Sequence, residues 1–195
     1  MVEPLTLPPH GLDHVALLVE DIERAVAGAR MLGLQVEDPA SFPGEGTREA
    51  YAGPPGAPAK LLLMAAAGPG PYARALEKRG PGLHHLALVT PDPLGLVRAA
   101  RGWLLHPASL DPDGTPRATL WLARPGIGAL LEVTRGEPGA GEPVVEALEV
   151  PCADARAAAL LTALGAAGPT AAGSPARVKI AGRWLSACGG LEALA

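Results

Sequence analysis

The sequence is poor in the residues that mark several protein classes. Its 195 residues include one phenylalanine, two tyrosines and two cysteines, and no apolar run reaches the roughly 18 residues of a membrane-spanning helix. Cys152 and Cys188 have neither a disulfide framework nor a zinc-binding spacing, so we expect two small core residues. A formal charge of −4 argues against nucleic-acid binding, which requires a basic stripe.

Amide and lysine side chains are also scarce. Asparagine is absent, glutamine occurs once, and 3 lysines stand against 13 arginines. This bias is typical of thermophilic proteins, although a GC-rich genome produces much the same composition. The opening MVEPLTLPPH has no basic segment followed by an apolar one, as a signal peptide would. We therefore expect a cytoplasmic protein with no membrane partner.

Two sequence patterns recur at nearly one spacing. GLDHVALLV, residues 11–19, matches GLHHLALVT, residues 82–90, at an offset of 71. PGAPAKLLLMA, residues 55–65, matches PGIGALLEVTR, residues 125–135, at an offset of 70. Two matches at nearly one offset predict a duplicated structural unit.

Each copy predicts the same order of elements. An apolar run rich in branched residues predicts a buried strand. An amphipathic helix follows, and two further strands with a Pro/Gly turn complete a βαβββ unit. The predicted fold is α+β, with paired βαβββ units forming curved mixed sheets. The predicted boundaries are unit one at 10–68, a connecting helix at about 71–79, and unit two at 82–135.

The remaining sequence predicts a degenerate third unit. Residues 136–143 are a Gly/Pro linker, and residues 144–195 predict strand, helix and hairpin segments in a βαβββ-like order. One unit without a partner leaves a sheet edge and a concave face to be covered. We therefore predict a homodimer, formed through these third units.

Three side chains in the paired units suggest a metal site. His14 and His85 occupy the same register position in the two copies, and Glu132 lies between apolar neighbours in the last strand of unit two. A carboxylate buried in this way requires a cation or several donors, and two imidazoles with one carboxylate suit a divalent metal. Strand alternation predicts that His84 faces away from His85 and has a structural role.

DHVALLVEDIERA, residues 13–25, and LEKRGPGLHHLAL, residues 76–88, resemble segments of the vicinal oxygen chelate superfamily of glyoxalase and bleomycin-resistance proteins. Within it, they are most similar to methylmalonyl-CoA epimerases, and the resemblance covers about residues 10–135. It implies a curved sheet around a divalent metal (Co, Ni, Mn, Zn or Fe) held from four strands. The corresponding residues here are His14, Leu62, His85 and Glu132, and leucine cannot bind a metal.

The resemblance also implies catalytic carboxylates. The family's catalytic glutamate lies shortly before the third strand, where this chain reads FPGEGTREAY. The aligned position is Gly44; Glu45 is one residue further on and Glu49 lies inside the strand. Removing a proton α to a thioester carbonyl requires a base, while a metal stabilises the enolate. Glu132, and Glu45 if the loop shifts by one residue, are therefore the candidate catalytic residues; the alternative for Glu45 and Glu49 is a solvated surface charge.

Three functions remain open. The first is a metalloenzyme acting on a small carbonyl or acyl-thioester substrate by epimerase, isomerase or lyase chemistry, with water in place of the lost ligand. The second is a metal-free protein that binds a small apolar ligand or serves as a dimeric module. The third is an Fe(II) dioxygenase that uses the two histidines and one carboxylate. Small or apolar residues are expected to line the pocket: Ala16, Leu18, Leu62, Met64, Ala87 and Leu130.

Overall fold

The computed structural model of the chain describes residues 6–165, 169–170 (backbone only) and 175–195. The structure does not describe residues 1–5, part of the opening MVEPLTLPPH. It also does not describe residues 166–168 and 171–174, which fall in the predicted third unit. The strands are β1 (Gly11–Leu18), β2 (Ala40–Phe42), β3 (Thr47–Ala52), β4 (Lys60–Ala66), β5 (Gly82–Thr90), β6 (Leu104–Leu105), β7 (Leu120–Ala123), β8 (Leu130–Arg135), β9 (Ala147–Pro151), β10 (Pro169–Thr170), β11 (Arg177–Ile180) and β12 (Arg183–Ser186). The α-helices are α1 (Ile22–Met31), α2 (Pro71–Arg79), α3 (Pro93–Ala99) and α4 (Ala155–Ala163), with 3₁₀ turns at Pro107–Ser109 and Glu192–Leu194.

Three of the helices begin in the same way. The side chains of Asp21, Asp92 and Asp154 accept hydrogen bonds from backbone N–H groups in the first turns of α1, α3 and α4. An aspartate cap satisfies donors that the helix itself leaves unpaired. Each of these helices directly follows a long strand, so the cap fixes where the chain leaves the sheet.

One eight-stranded sheet contains both predicted units. Its strand order is β2-β3-β4-β1-β5-β8-β7-β6. The first strand of each unit pairs in parallel with the last, β1 with β4 and β5 with β8, and the two units join through antiparallel β1 and β5. The predicted glyoxalase-like α+β fold is confirmed.

The two central strands carry equivalent bulges. Asp13 lies between the register pairs Leu12 with Leu88 and His14 with Ala87 and is itself unpaired. In β5, His84 lies between Leu83, which pairs with Leu17, and His85, which pairs with Ala16, and is itself unpaired. It comes 71 residues after Asp13. A bulge places two residues opposite one and disturbs the alternation of side chains. Strand parity therefore fails at these two positions.

The two faces of the sheet pack against different partners. Val15, Leu17, Leu86 and Leu88 face the main core, which includes buried residues of α1 and α3. The opposite, concave face carries a smaller apolar cluster of Ala16, Leu18, Leu62 and Met64, covered by Tyr72, Ala75 and Leu76 of α2. The site residues described below lie beside this cluster.

The C-terminal segment, residues 144–195, forms a second sheet in the order β10-β9-β11-β12. Its elements follow the order β, α, β, β, β, but the parallel partner of β9 is β10, the first strand after the helix, whereas β1 and β5 pair in parallel with the last strand of their unit. Its apolar residues share the main core with the two units. The division into domains remains a prediction. Among the described residues, no helix is long and apolar enough to cross a membrane.

Candidate metal centre

His14, His85 and Glu132 converge on one point of the concave face. Nε2 of His14 lies 3.1 Å from Nε2 of His85. Oε2 of Glu132 lies 3.2 Å from Nε2 of His85 and 3.8 Å from Nε2 of His14. Both imidazoles are buried, and Glu132 is partly exposed.

Strand pairing explains the convergence. His14 pairs with Ala87 across β1 and β5, and Ala87 pairs in turn with Glu132 across β5 and β8. Two central strands and their parallel neighbour therefore bring together residues as far apart in the chain as 14 and 132. The three predicted residues meet, whereas their role as ligands remains a proposal.

The distances fit a divalent ion. An ion that binds nitrogen and oxygen at about 2.1 Å in tetrahedral or octahedral geometry holds neighbouring ligand atoms about 3 to 3.4 Å apart. Two of the three distances fall in that range. The third requires only a small rotation of the Glu132 side chain.

The protonation of His14 also fits. Its Nδ1 lies 2.8 Å from Oδ2 of Asp13, and a carboxylate at that distance accepts the Nδ1 hydrogen. This hydrogen bond with His14 is the main reason that the pKa of Asp13 lies below its usual value. With Nδ1 bonded to Asp13, Nε2 of His14 points to the centre of the cluster, the orientation that a metal ligand requires.

His85 has a different partner. Its Nδ1 lies 2.9 Å from Nδ1 of His84, so the prediction that His84 faces away from His85 is wrong. The bulge at His84 is the physical reason, because it turns both imidazoles to the same face. Burial is the main cause that lowers the pKa of both rings; for His84 the pKa falls to about 3, so that ring is neutral at pH 7.

Leu62 occupies the position on β4 that Glu132 occupies on β8. It pairs with Ala16 as Glu132 pairs with Ala87, which matches the alignment of the internal repeat. The leucine is buried and contributes hydrocarbon to the concave cluster. One side of the three-residue cluster therefore has no protein ligand from β4.

A carboxyl group outside the predicted set, Glu49, lies close enough to His14 and Glu132 for their charges to affect its pKa. It is half-buried on β3, two residues before Tyr51, whose ring lies edge-on to His14 with centroids 5.4 Å apart. Thr47 donates a 2.7 Å hydrogen bond to Glu49 Oε1. Burial raises the pKa of Glu49, and the negative charges of Glu45 and Glu132 add to the rise. The strand parity that Glu49 shares with Tyr51 was a usable signal.

Glu45 lies in the turn between β2 and β3, with its side chain exposed. Its Oε2 accepts a long hydrogen bond of 3.5 Å from the Tyr72 hydroxyl on α2. Burial, followed by the charges of Glu45 and its neighbours, raises the pKa of Tyr72 to about 12. Glu45 therefore lies beside α2 and is more exposed to solvent than Glu49.

A cavity of about 220 Å³ opens beside His84. Its walls include Leu18 and Leu83 from the paired units and Val150, Ala176 and Cys188 from the C-terminal segment. Cys188 is exposed and Cys152 is buried, so the expectation of two core cysteines is wrong for Cys188. The C-terminal segment thus reaches His84, the neighbour of His85 in the three-residue cluster.

Residues 13–105 match the family model described as the Glyoxalase/Bleomycin resistance protein/Dioxygenase superfamily. Methylmalonyl-CoA epimerase from Mycobacterium tuberculosis is 28% identical with a TM-score of 0.52, and the match covers 70% of this chain and 95% of that one. A selenomethionine methylmalonyl-CoA epimerase is 25% identical with a TM-score of 0.50, covering 70% and 99%. A hypothetical protein from Bacillus halodurans C-125, 21% identical with a TM-score of 0.53 and covering 68% and 99%, shares the fold.

No curated protein matches the chain. The family match and the two epimerase structures confirm the resemblance to the vicinal oxygen chelate superfamily and to methylmalonyl-CoA epimerases. The two matches cover almost the whole of each epimerase chain but leave about three tenths of this chain unmatched. The unmatched share is close in size to the part of this chain beyond unit two.

Proposed function

We propose that this glyoxalase-superfamily protein is a metal-dependent enzyme that moves a proton α to the carbonyl of a small carbonyl or acyl-thioester substrate. The observation that carries the proposal is the convergence of His14, His85 and Glu132 beside Glu49, a half-buried carboxyl group with a raised pKa. Epimerase, isomerase and lyase reactions all begin with such a proton transfer.

Three residues would hold the metal. His14 and His85 would supply nitrogen ligands and Glu132 an oxygen ligand, a set that suits Co, Ni, Mn, Zn or Fe. A divalent ion there would supply the positive charge that stabilises the negative oxygen of an enolate. Leu62 leaves one side open to water or substrate. Asp13 orients His14, and the apolar cluster beneath α2 excludes water from that side.

Glu49 is the proposed general base. Its ionised carboxylate takes the α-proton, and the electron pair of the C–H bond passes into the substrate's carbonyl group. A raised pKa brings a carboxylate closer to the proton affinity that this transfer requires. Return of the proton to the opposite face requires a second acid, and Glu45, beside the Tyr72 hydroxyl, is the predicted candidate.

Methylmalonyl-CoA is the substrate to test first. The solved structure from Mycobacterium tuberculosis that is 28% identical to this chain is a methylmalonyl-CoA epimerase, and that likeness supports a CoA thioester. Of the residues predicted to line the pocket, Leu18 borders the cavity of about 220 Å³ beside His84, whereas Ala16 and Ala87 are buried.

A second candidate is an Fe(II) dioxygenase. The specific observation is Leu62, which leaves two histidines and one carboxylate, the set used by non-haem iron oxygenases. Oxygen uptake with a catechol under Fe²⁺ reconstitution tests this candidate. Uptake without α-proton exchange would replace the first proposal with the second.

The central experiment measures metal binding and proton exchange together. Protein purified without a His-tag is analysed for metal, and its thermal unfolding is followed with Co²⁺, Ni²⁺, Mn²⁺ and anaerobic Fe²⁺. Loaded protein is then incubated with methylmalonyl-CoA in D₂O, and exchange of the α-proton is followed by NMR. Absence of bound metal and of any thermal shift would overturn both metal-dependent proposals in favour of a metal-free binding module.

We also propose the predicted homodimer. Its support is the edge strand β12 of the C-terminal sheet, because an edge strand can pair with another chain; the apolar residues of that segment already pack within the chain's own core. Sedimentation at micromolar concentration measures the oligomeric state. A monomer would contradict the dimer.

A further inference from the structure

The two predicted histidine ligands are supported by different neighbours at equivalent positions. Asp13 and His84 each occupy the bulge that precedes the histidine of their unit. Each places a polar atom within hydrogen-bonding distance of Nδ1, the ring nitrogen that points away from the cluster: Oδ2 of Asp13 at 2.8 Å from His14 and Nδ1 of His84 at 2.9 Å from His85.

The contact between His84 and His85 allows only one arrangement that is compatible with metal binding. One of the two Nδ1 atoms must donate a hydrogen and the other must accept it. If His84 donated, the neutral His85 ring would carry its own hydrogen on Nε2 and could not bind an ion. If His85 donates, its Nε2 lone pair faces His14 and Glu132.

We propose that His84 is a positioning residue, whose Nδ1 accepts the hydrogen of His85 Nδ1 and thereby fixes the orientation and tautomer of His85. The inference rests on the proposed metal site. His84 is held in turn by α2, because its ring packs against Tyr72 with centroids 5.1 Å apart. The helix that covers the concave face therefore also braces this support.

The difference between the two supports has an electrostatic consequence. Asp13 and Glu132 together carry the two negative charges that balance a divalent ion, and a neutral imidazole at His84 adds none. Outer partners of this kind commonly change metal affinity by about 10- to 100-fold. His84 thus orients the second ligand without making the buried site more negative.

Two substitutions separate the supporting role from packing. His84→Leu keeps a side chain of similar volume without an acceptor, and we expect Co²⁺ to bind about 10- to 100-fold more weakly, with a changed visible absorption spectrum. His84→Asp places in unit two the acceptor that unit one uses, and we expect it to retain tight binding. His106→Leu, at an exposed histidine, is the matched control.

The outcomes are distinguishable. If the wild-type protein binds no Co²⁺, the proposed metal site fails before the variants are compared. If wild-type and His84→Leu proteins bind Co²⁺ equally with the same spectrum, only the role of His84 is overturned. The same holds if His84→Asp binds as weakly as His84→Leu.

A second measurement does not depend on the variants folding. Long-range ¹H–¹⁵N NMR of the Zn²⁺-loaded wild-type protein distinguishes the two tautomers of each imidazole. We expect His84 to carry its hydrogen on Nε2 and to have a bare Nδ1. A hydrogen on His84 Nδ1 would overturn the proposal.

Discussion

Units one and two share a backbone plan but not their functional side chains. The pairing of β1 with β4 repeats in β5 with β8, and each leading strand bulges at the residue before its histidine. At three equivalent positions the units carry Asp13 and His84, His14 and His85, and Leu62 and Glu132. The shared plan places the side chains, and the residue types decide which unit contributes ligands.

The comparison shows an unequal division of labour. Unit two provides two of the three clustered residues, and unit one provides the third. Unit one instead carries Glu49, the half-buried carboxyl group on β3. The position equivalent to Glu49 in unit two is Thr119, because Tyr51 pairs with Leu62 as Trp121 pairs with Glu132. In the proposed function, metal binding and proton transfer would therefore lie mainly in different copies.

The largest expected effect follows from removing the ligand of unit two. His85→Ala leaves one imidazole and one carboxylate, which cannot hold a divalent ion tightly, so we expect Co²⁺ binding to fall below detection in calorimetry. His106→Ala, at an exposed histidine of the same unit, should bind as the wild type does. Retained binding by a folded His85→Ala protein would show that the ion binds elsewhere.

The next largest effect concerns the base in unit one. Glu49→Gln should slow α-proton exchange by about 10²- to 10⁴-fold while leaving metal affinity nearly unchanged. Glu45→Gln, on the exposed turn, should have a much smaller effect. Equal losses for both variants would contradict the assignment of the base to Glu49.

The raised pKa of Glu49 predicts that α-proton exchange depends on pH. Because burial raises the pKa of Glu49, the rate of exchange should rise with pH through a range above the usual glutamate value. A raised pKa in the folded protein means that this group favours folding below its unfolded pKa and that the contribution is lost as pH rises through the folded pKa. The melting temperature of Glu49→Gln relative to that of the wild type should therefore be higher at pH 7 than at pH 4.

A smaller effect should make the units more alike. Leu62→Glu places a carboxylate at the position that Glu132 holds in unit two, and we expect Co²⁺ to bind about tenfold more tightly, or about 1.4 kcal/mol. Without metal the buried carboxylate should lower the melting temperature, and added metal should reverse that loss. Leu62→Ile is the control. A folded Leu62→Glu protein with unchanged affinity would show that the alignment of β4 with β8 misplaces the ligand.

The smallest effect tests how unit one is tied to the C-terminal segment. Glu192 Oε1 accepts the N–H groups of Glu20 and Asp21 at 2.9 Å each, whereas the corresponding N–H of Asp92 in unit two uses Thr90. Glu192→Ala should lower the free energy of unfolding by about 1 kcal/mol, measured by urea denaturation. Glu192→Gln keeps an acceptor oxygen and should lose less; equal losses would argue against the hydrogen bonds as the cause.

The sequence predicted much of this arrangement because the duplication is visible in it. The matched His14 and His85 and the alignment of Leu62 with Glu132 follow from nearly one offset, and the buried strands of the paired sheet follow from apolar runs rich in branched residues. Strand parity could not foresee the bulges, which depend on how β1 and β5 pair across the two units. His84 was therefore misplaced. Glu49 was set aside for another reason, because Glu45 lies closer in sequence to the aligned position, Gly44.

The sequence by itself determined the α+β class, the two repeated units and the residues available as ligands, because local periodicity and internal repetition are written in the order of residues. Only the tertiary structure decided which of those residues meet, because the meeting depends on long-range register. It turned His84 toward His85 and packed the C-terminal segment onto the core of its own chain. Those outcomes arise from contacts between strands that are distant in sequence, where no local pattern carries the information.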